Sequence, residues 1–195
     1  MLLCKPPTCL SVFLSGKSLC LITDPSFPRP PPPSVLCPLF CVDGNLGVGD
    51  TSNRHFPTRV ESLTNQHEIV KEVHAGAEHV LAITVQGSCW TWGHGDGGRL
   101  GRGDVYDSTV PAYVSHLSTV FVSTGGAGDA HTAVVSDNGA LWIWGTGSFG
   151  RLGLGDERDK CVRTIEMIVA STTCPGRVWM NGFPTFFLSL CHFIF

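Results

Sequence analysis

Between residues 42 and 168 the chain alternates apolar and polar positions in short stretches punctuated by glycine, a period-two pattern that predicts half-buried β-strands. Strands are expected at 69–74, 79–85 and 89–92, the last two joined by the tight turn Gln86-Gly87-Ser88. The same plan returns at 120–123, 131–136 and 141–144, with Asp137-Asn138-Gly139 as the turn. Asn-Gly is the strongest short hairpin signal, because both residues accept the left-handed backbone such turns need. Two further segments, from Pro57 to Val60 and from Pro111 to Val114, suit an outer edge strand, where proline forfeits no ladder bond. The result is about four short strands per unit and no helix of useful length.

The units repeat. Ala75-Gly76-Ala77-Glu78-His79 aligns with Ala127-Gly128-Asp129-Ala130-His131 at an offset of 52 residues. The offset holds through Trp90-Thr91-Trp92-Gly93 and Trp142-Ile143-Trp144-Gly145, and on to Leu100-Gly101-Arg102-Gly103-Asp104 and Leu152-Gly153-Leu154-Gly155-Asp156. A third copy of the last phrase, Leu46-Gly47-Val48-Gly49-Asp50, stands 54 residues before the first. Self-similarity at this period marks a repeat architecture, and four antiparallel strands per repeat are a propeller blade. The expected fold is therefore all-β: a partial β-propeller of about two and a half four-stranded blades. Its units are 42–93, 94–145 and a partial 146–168.

The flanks are of another kind. Residues 1–41 are rich in Cys and Pro and end in the polyproline run Arg29-Pro30-Pro31-Pro32-Pro33, so a disordered leader is expected there. Residues 169–195 form an irregular apolar tail. Neither flank reaches the ~18–20 apolar residues of a membrane span, and Pro6, Pro7 and Lys17 break any signal-peptide run. Of the nine cysteines only Cys89 and Cys161 fall inside the repeats, a distribution that staples nothing. The thiols read as reduced and the compartment as intracellular, cytoplasmic or nuclear.

Charge and motifs then exclude more than they add. The chain carries a net charge of −3, and residues 42–168 hold nine Lys/Arg against fifteen Asp/Glu, a net of −6. Direct nucleic-acid binding is not expected of such a surface. Gly93-His94-Gly95-Asp96-Gly97-Gly98 and Gly145-Thr146-Gly147-Ser148-Phe149-Gly150 both spell G-x-G-x-x-G. A dinucleotide site needs a helix directly after the glycines, and Arg-Leu-Gly-x-Gly-Asp follows instead. No cofactor is expected. Arg102-Gly103-Asp104 matches an integrin ligand, but only its Gly-Asp is periodic. His79 and His131 share one repeat position without further ligands, and Cys37 and Cys41 lack a second pair, so no metal is expected. The histidines are expected to bond a neighbouring backbone and tie blades together, and Trp90, Trp92, Trp142 and Trp144 to pack between blades. No catalytic constellation stands out, and no enzyme is expected.

In combination the phrases Ala-Gly-x-x-His, Trp-x-Trp-Gly and Gly-x-Leu-Gly-x-Gly-Asp resemble the regulator of chromosome condensation repeat, over about residues 43–168. The positions that carry the likeness are Gly76, His79, Trp92, Gly93, Leu100, Gly101, Gly103 and Asp104. Their counterparts are Gly128, His131, Trp144, Gly145, Leu152, Gly153, Gly155 and Asp156. The resemblance implies a seven-bladed propeller that recognises proteins. Family members include a guanine-nucleotide exchange factor for a nuclear Ras-like GTPase and the recognition domains of HECT-type ubiquitin ligases. The chain is thus expected to be a protein–protein interaction module from a larger signalling or ubiquitin-ligase-like protein, with a small GTPase as one candidate partner. Exchange activity, or a truncated product without autonomous function, are the alternative readings. Both flanks break at the edge of a repeat, which suggests a partial or mis-spliced product. An open arc leaves two blade faces in water, and marginal folding alone is expected. The candidate surface is the loops 93–98 and 145–150 with the variable stretches 102–108 and 157–163.

Overall fold

A computed structural model describes residues 10–15, 18–22, 35–39, 43–66, 68–161, 164–168, 177–180 and 183–186. The strands are β1 (Leu10–Ser15), β2 (Ser18–Ile22), β3 (Val35–Leu39), β4 (Arg54–Arg59), β5 (Val70–Ala75), β6 (His79–Thr84) and β7 (Cys89–Gly93). They continue as β8 (Ser108–Tyr113), β9 (Val122–Ala127), β10 (His131–Ser136), β11 (Ala140–Gly145), β12 (Thr164–Ile168), β13 (Arg177–Met180) and β14 (Phe183–Phe186). Among the described residues the one α-helix, α1 (Glu61–Asn65), is a little over a turn long.

The antiparallel strands form three four-stranded sheets, β1–β4, β5–β8 and β9–β12, and a β13–β14 hairpin. First strands converge: β5 touches β9, and β1 and β2 touch β5. The architecture is a partial propeller. The hairpin turns form where expected: Gly87 (φ 78°) and Gly139 (φ 83°) donate to the Thr84 and Ser136 carbonyls, each at 3.0 Å. Pro111 lies on β8, the last strand of its sheet, where proline is tolerated.

Three expectations need correction. Blades run from β5 to β8 and from β9 to β12, so the sequence units 42–93 and 94–145 each straddle two sheets. A repeat can be phased anywhere, whereas strand pairing cuts it only between blades. The leader is not wholly disordered, because β1, β2 and β3 pair with one another and with β4, Cys37 facing Thr58. The apolar tail is not wholly irregular, since β13 and β14 pair from Arg177–Phe186 to Met180–Phe183. The run Arg29 to Pro33, Cys41 and residues 187–195 lie outside the described residues.

Apolar side chains fill the space between sheets. Leu81, Ile83 and Cys89 of the first full blade meet Val122, Val134 and Trp144 of the second. Leu81, Ile83 and Val134 are fully buried, and each contributes about 1.5–3 kcal/mol. The strand β9 extends to Ala127, past the expected 120–123, because Gly125 and Gly126, poor strand formers, hide it from the sequence pattern. Packing requires the first of them, because a Cβ at Gly125 would stand 3.1 Å from Leu81 Cδ2. Beyond the second blade, Ala133, Leu141, Ile143 and Leu152 form a smaller cluster.

Candidate interaction surface

Each repeat hooks onto the phrase before it. Trp92 Nε1 donates to the Asn45 carbonyl at 2.9 Å, and Trp144 Nε1 donates to the equivalent Arg99 carbonyl at 2.9 Å. Arg99 O also accepts from Thr132 Oγ1 at 2.9 Å, so that hydroxyl oxygen is left to accept from His79 Nε2, 2.9 Å away. His79 therefore ties the blades as expected, but through the Thr132 side chain rather than through backbone. The guanidinium of Arg99 bonds the Asp96 carbonyl and pairs with Glu78 at 3.1 Å, locking the phrase from both sides. Asn45, Arg99, Thr132 and Glu78 were missed in the sequence. Two of them act through backbone carbonyls, which leave no side-chain signature.

The sequence-selected positions are spread over three packing clusters, Trp92 with Leu46, Trp144 with Leu81 and Val134, and Leu152 with Ala133 and Ile143. Trp92, Leu100, His79, Trp144 and Leu152 are fully or almost fully buried, as is most of His131. Gly101 (φ 68°) lies flat on Trp144, where a Cβ would fall 2.6 Å from the indole nitrogen. Gly76 and Gly128 lie against the rings of His79 and His131, while Gly93 (φ 101°) and Gly145 (φ 115°) press on the backbone before each histidine. The Gly-Asp pairs make turns. Gly103, Gly153 and Gly155 take positive φ, and Asp104 and Asp156 accept the N–H of Tyr106 and Arg158, each at 3.1 Å. The Asp156 carboxyl is held below its ordinary range by that backbone bond and by Lys160.

The loops 93–98 and 145–150 are braced against the variable stretches. Gly95 N–H donates to Asp107 Oδ1 at 2.7 Å, and Gly147 N–H donates to Asp159 Oδ1 at 2.8 Å. Each G-x-G-x-x-G closes in a three-residue 3-10 turn, Asp96–Gly98 or Ser148–Gly150, and among the described residues no α-helix follows it before the next strand. The braced backbone here carries exposed apolar side chains: Val105 is 51 % exposed, Tyr106 75 % and Phe149 89 %, the last with the Arg151 guanidinium over its ring. Phe149 also holds a positive φ of 60°.

Burial sets the ionisation of the seam. Desolvation, with Arg99 next in weight, pushes His79 down to about 3, and burial also lowers His74 and His131. Below pH 6.5 an unfolded His79 takes up a proton that the folded one refuses until about 3. Stability is therefore full above 6.5 and falls as the pH is lowered toward 3, by on the order of 1 kcal/mol per pH unit. His79→Gln keeps a donor for Thr132 without titrating. Urea midpoints measured from pH 8 to pH 4 are expected to show a shallower slope for it; an unchanged slope would show that His79 does not drive the loss.

Comparison with known proteins gives a consistent family. The regulator of chromosome condensation (RCC1) repeat matches residues 42–83 and 86–135. The ultraviolet-B receptor UVR8 of Arabidopsis thaliana is 38% identical over 120 residues, 61% of this chain and 27% of that protein. The E3 ubiquitin-protein ligase HERC2 of Homo sapiens is 37% identical over 119 residues, 60% of this chain and 2% of that protein. Among solved structures, Prp20p of Saccharomyces cerevisiae, described with its binding to Gsp1p and histones, superposes with a TM-score of 0.68 at 19% identity. That superposition covers 80% of this chain and 38% of Prp20p and speaks to the fold alone. The chain spans about a quarter or less of the curated relatives named. No helix among the described residues is long and apolar enough to cross a membrane.

Proposed function

Since this chain carries regulator of chromosome condensation repeats over residues 42–135, we propose that it is a protein-interaction module whose braced loops contact a protein partner, without catalysis of its own. The observation that supports this reading is the exposure of Tyr106 and Phe149 on backbone fixed by the Asp107 and Asp159 bonds. Aromatic side chains held out on rigid loops offer contact area at low entropic cost, as interface anchors do. Relatives within ubiquitin ligases favour a role in presenting one protein to another, the chain serving as part of a larger signalling or ubiquitin-ligase-like protein.

The test is comparative affinity capture, with the chain and the double variant Tyr106→Ser, Phe149→Gly as baits. Glycine relieves the positive φ at 149, so the variant is expected to melt no lower than the parent. Partners bound by the parent are expected to be reduced at least tenfold on the variant. An identical partner set would contradict the assignment of this surface. The exchange reading has its own check: accelerated release of labelled GDP from a small GTPase, which is not expected of a partial propeller.

A further inference from the structure

The first seam carries a cluster with no place in the repeat. Asp43, His94 and Asp107 bring one ligand atom each within 4.8 Å of one another. His94 Nδ1 stands 3.5 Å from Asp43 Oδ2 and 3.0 Å from Asp107 Oδ1. Despite those distances the nitrogen is buried and makes no aligned hydrogen bond. It lies within 3.5 Å of a carboxylate oxygen of each aspartate.

The second seam shows what the fold itself requires there. Asp43, His94 and Asp107 correspond to Gly97, Thr146 and Asp159; a Cβ at Gly97 would run into Thr146 Oγ1, so the first two positions meet in both seams, and Asp159 braces the neighbouring Gly147. Only the aspartate is common, and both copies do the same structural task of accepting a loop N–H, from Gly95 or Gly147. Asp43 and His94 are additions that this bracing does not need.

We propose that Asp43, His94 and Asp107 bind a divalent transition-metal cation of the zinc class. Zinc–nitrogen and zinc–oxygen bonds of about 2.0–2.2 Å set neighbouring tetrahedral ligands about 3.3–3.5 Å apart, close to the two distances seen. One imidazole and two carboxylates suit such an ion, and three protein ligands leave a position open to water or to a partner's side chain. The Gly95 N–H on Asp107 fixes that carboxylate as an outer-shell bond does in metal sites. Bound metal would join the phrase 43–50 to the β5–β8 blade and stiffen the loop 93–98 of the interaction surface.

The test uses the full chain, stripped with chelator and with its accessible thiols alkylated, because cysteines compete for zinc. Zinc chloride is titrated by calorimetry into this protein and into Asp43→Gly and His94→Thr. Each substitution installs the residue of the second seam, and glycine suits the positive φ of 49° at position 43. Asp43→Asn, which keeps the size and tolerates that backbone, gives the same readout should the glycine loosen the loop. The parent is expected to bind one more equivalent than every variant, at micromolar affinity, with circular dichroism spectra unchanged. Equal stoichiometry in parent and variants, or no binding by the parent, would overturn the site and leave a plain His–Asp ion-pair cluster.

Discussion

Trp144→Ala is expected to destabilise the chain by about 3–5 kcal/mol, the range for emptying a buried aromatic site. Trp144 is 2 % exposed and sits among Leu81, Ile83 and Val134, so its removal opens a void between two blades rather than within one. The Arg99 carbonyl loses one of its two donors and keeps Thr132. Trp144→Phe separates these effects. It fills most of the volume, loses the indole donor, and is expected to cost about 1–2 kcal/mol. Urea unfolding followed by far-ultraviolet circular dichroism checks both, and equal losses for the two variants would mean that packing at this seam adds nothing beyond the bond.

Gly101→Ala is expected to cost about 3 kcal/mol, from two sources that a companion variant resolves. Gly101 has a φ of 68°, and a Cβ there would lie 2.6 Å from the Trp144 ring. Gly155 has a φ of 78° with nothing within 4 Å of the same atom. Gly155→Ala therefore suffers the backbone penalty alone, about 1–2 kcal/mol. The difference between the two, read from thermal or urea midpoints, is the contact of glycine with indole. Matching losses would show that the glycine serves only its turn.

These variants also mark what the sequence discloses and what it conceals. The hairpins were legible because Gln86-Gly87-Ser88 and Asp137-Asn138-Gly139 sit between alternating strands at one fixed offset. The burial of Trp92 and Trp144 followed from their periodicity. The seam chemistry was only half legible: His79 stood out as periodic, but its partner Thr132 aligns with Val80 in the preceding copy and so looked variable. The carbonyls of Asn45 and Arg99 leave no trace in side-chain identity at all. Blade phase was hidden for a similar reason, since a repeat offset is the same wherever the unit is taken to begin. In the leader, proline and cysteine content outweighed the apolar runs at 10–15 and 18–22, and pairing with β4 is a long-range matter that local composition does not report. Asp43, His94 and Asp107, scattered over both sides of the first full blade's inner strands, have no motif spacing to betray them.

The seam of His79, Thr132, Arg99 and Trp144 joins the β5–β8 and β9–β12 blades, which are expected to open as one unit. Native-state hydrogen exchange in increasing urea tests this most directly. The Trp144 indole N–H and the core amides of β6 and β10 are expected to share one opening free energy and one urea dependence. Two distinct opening free energies, one for each blade, would contradict it.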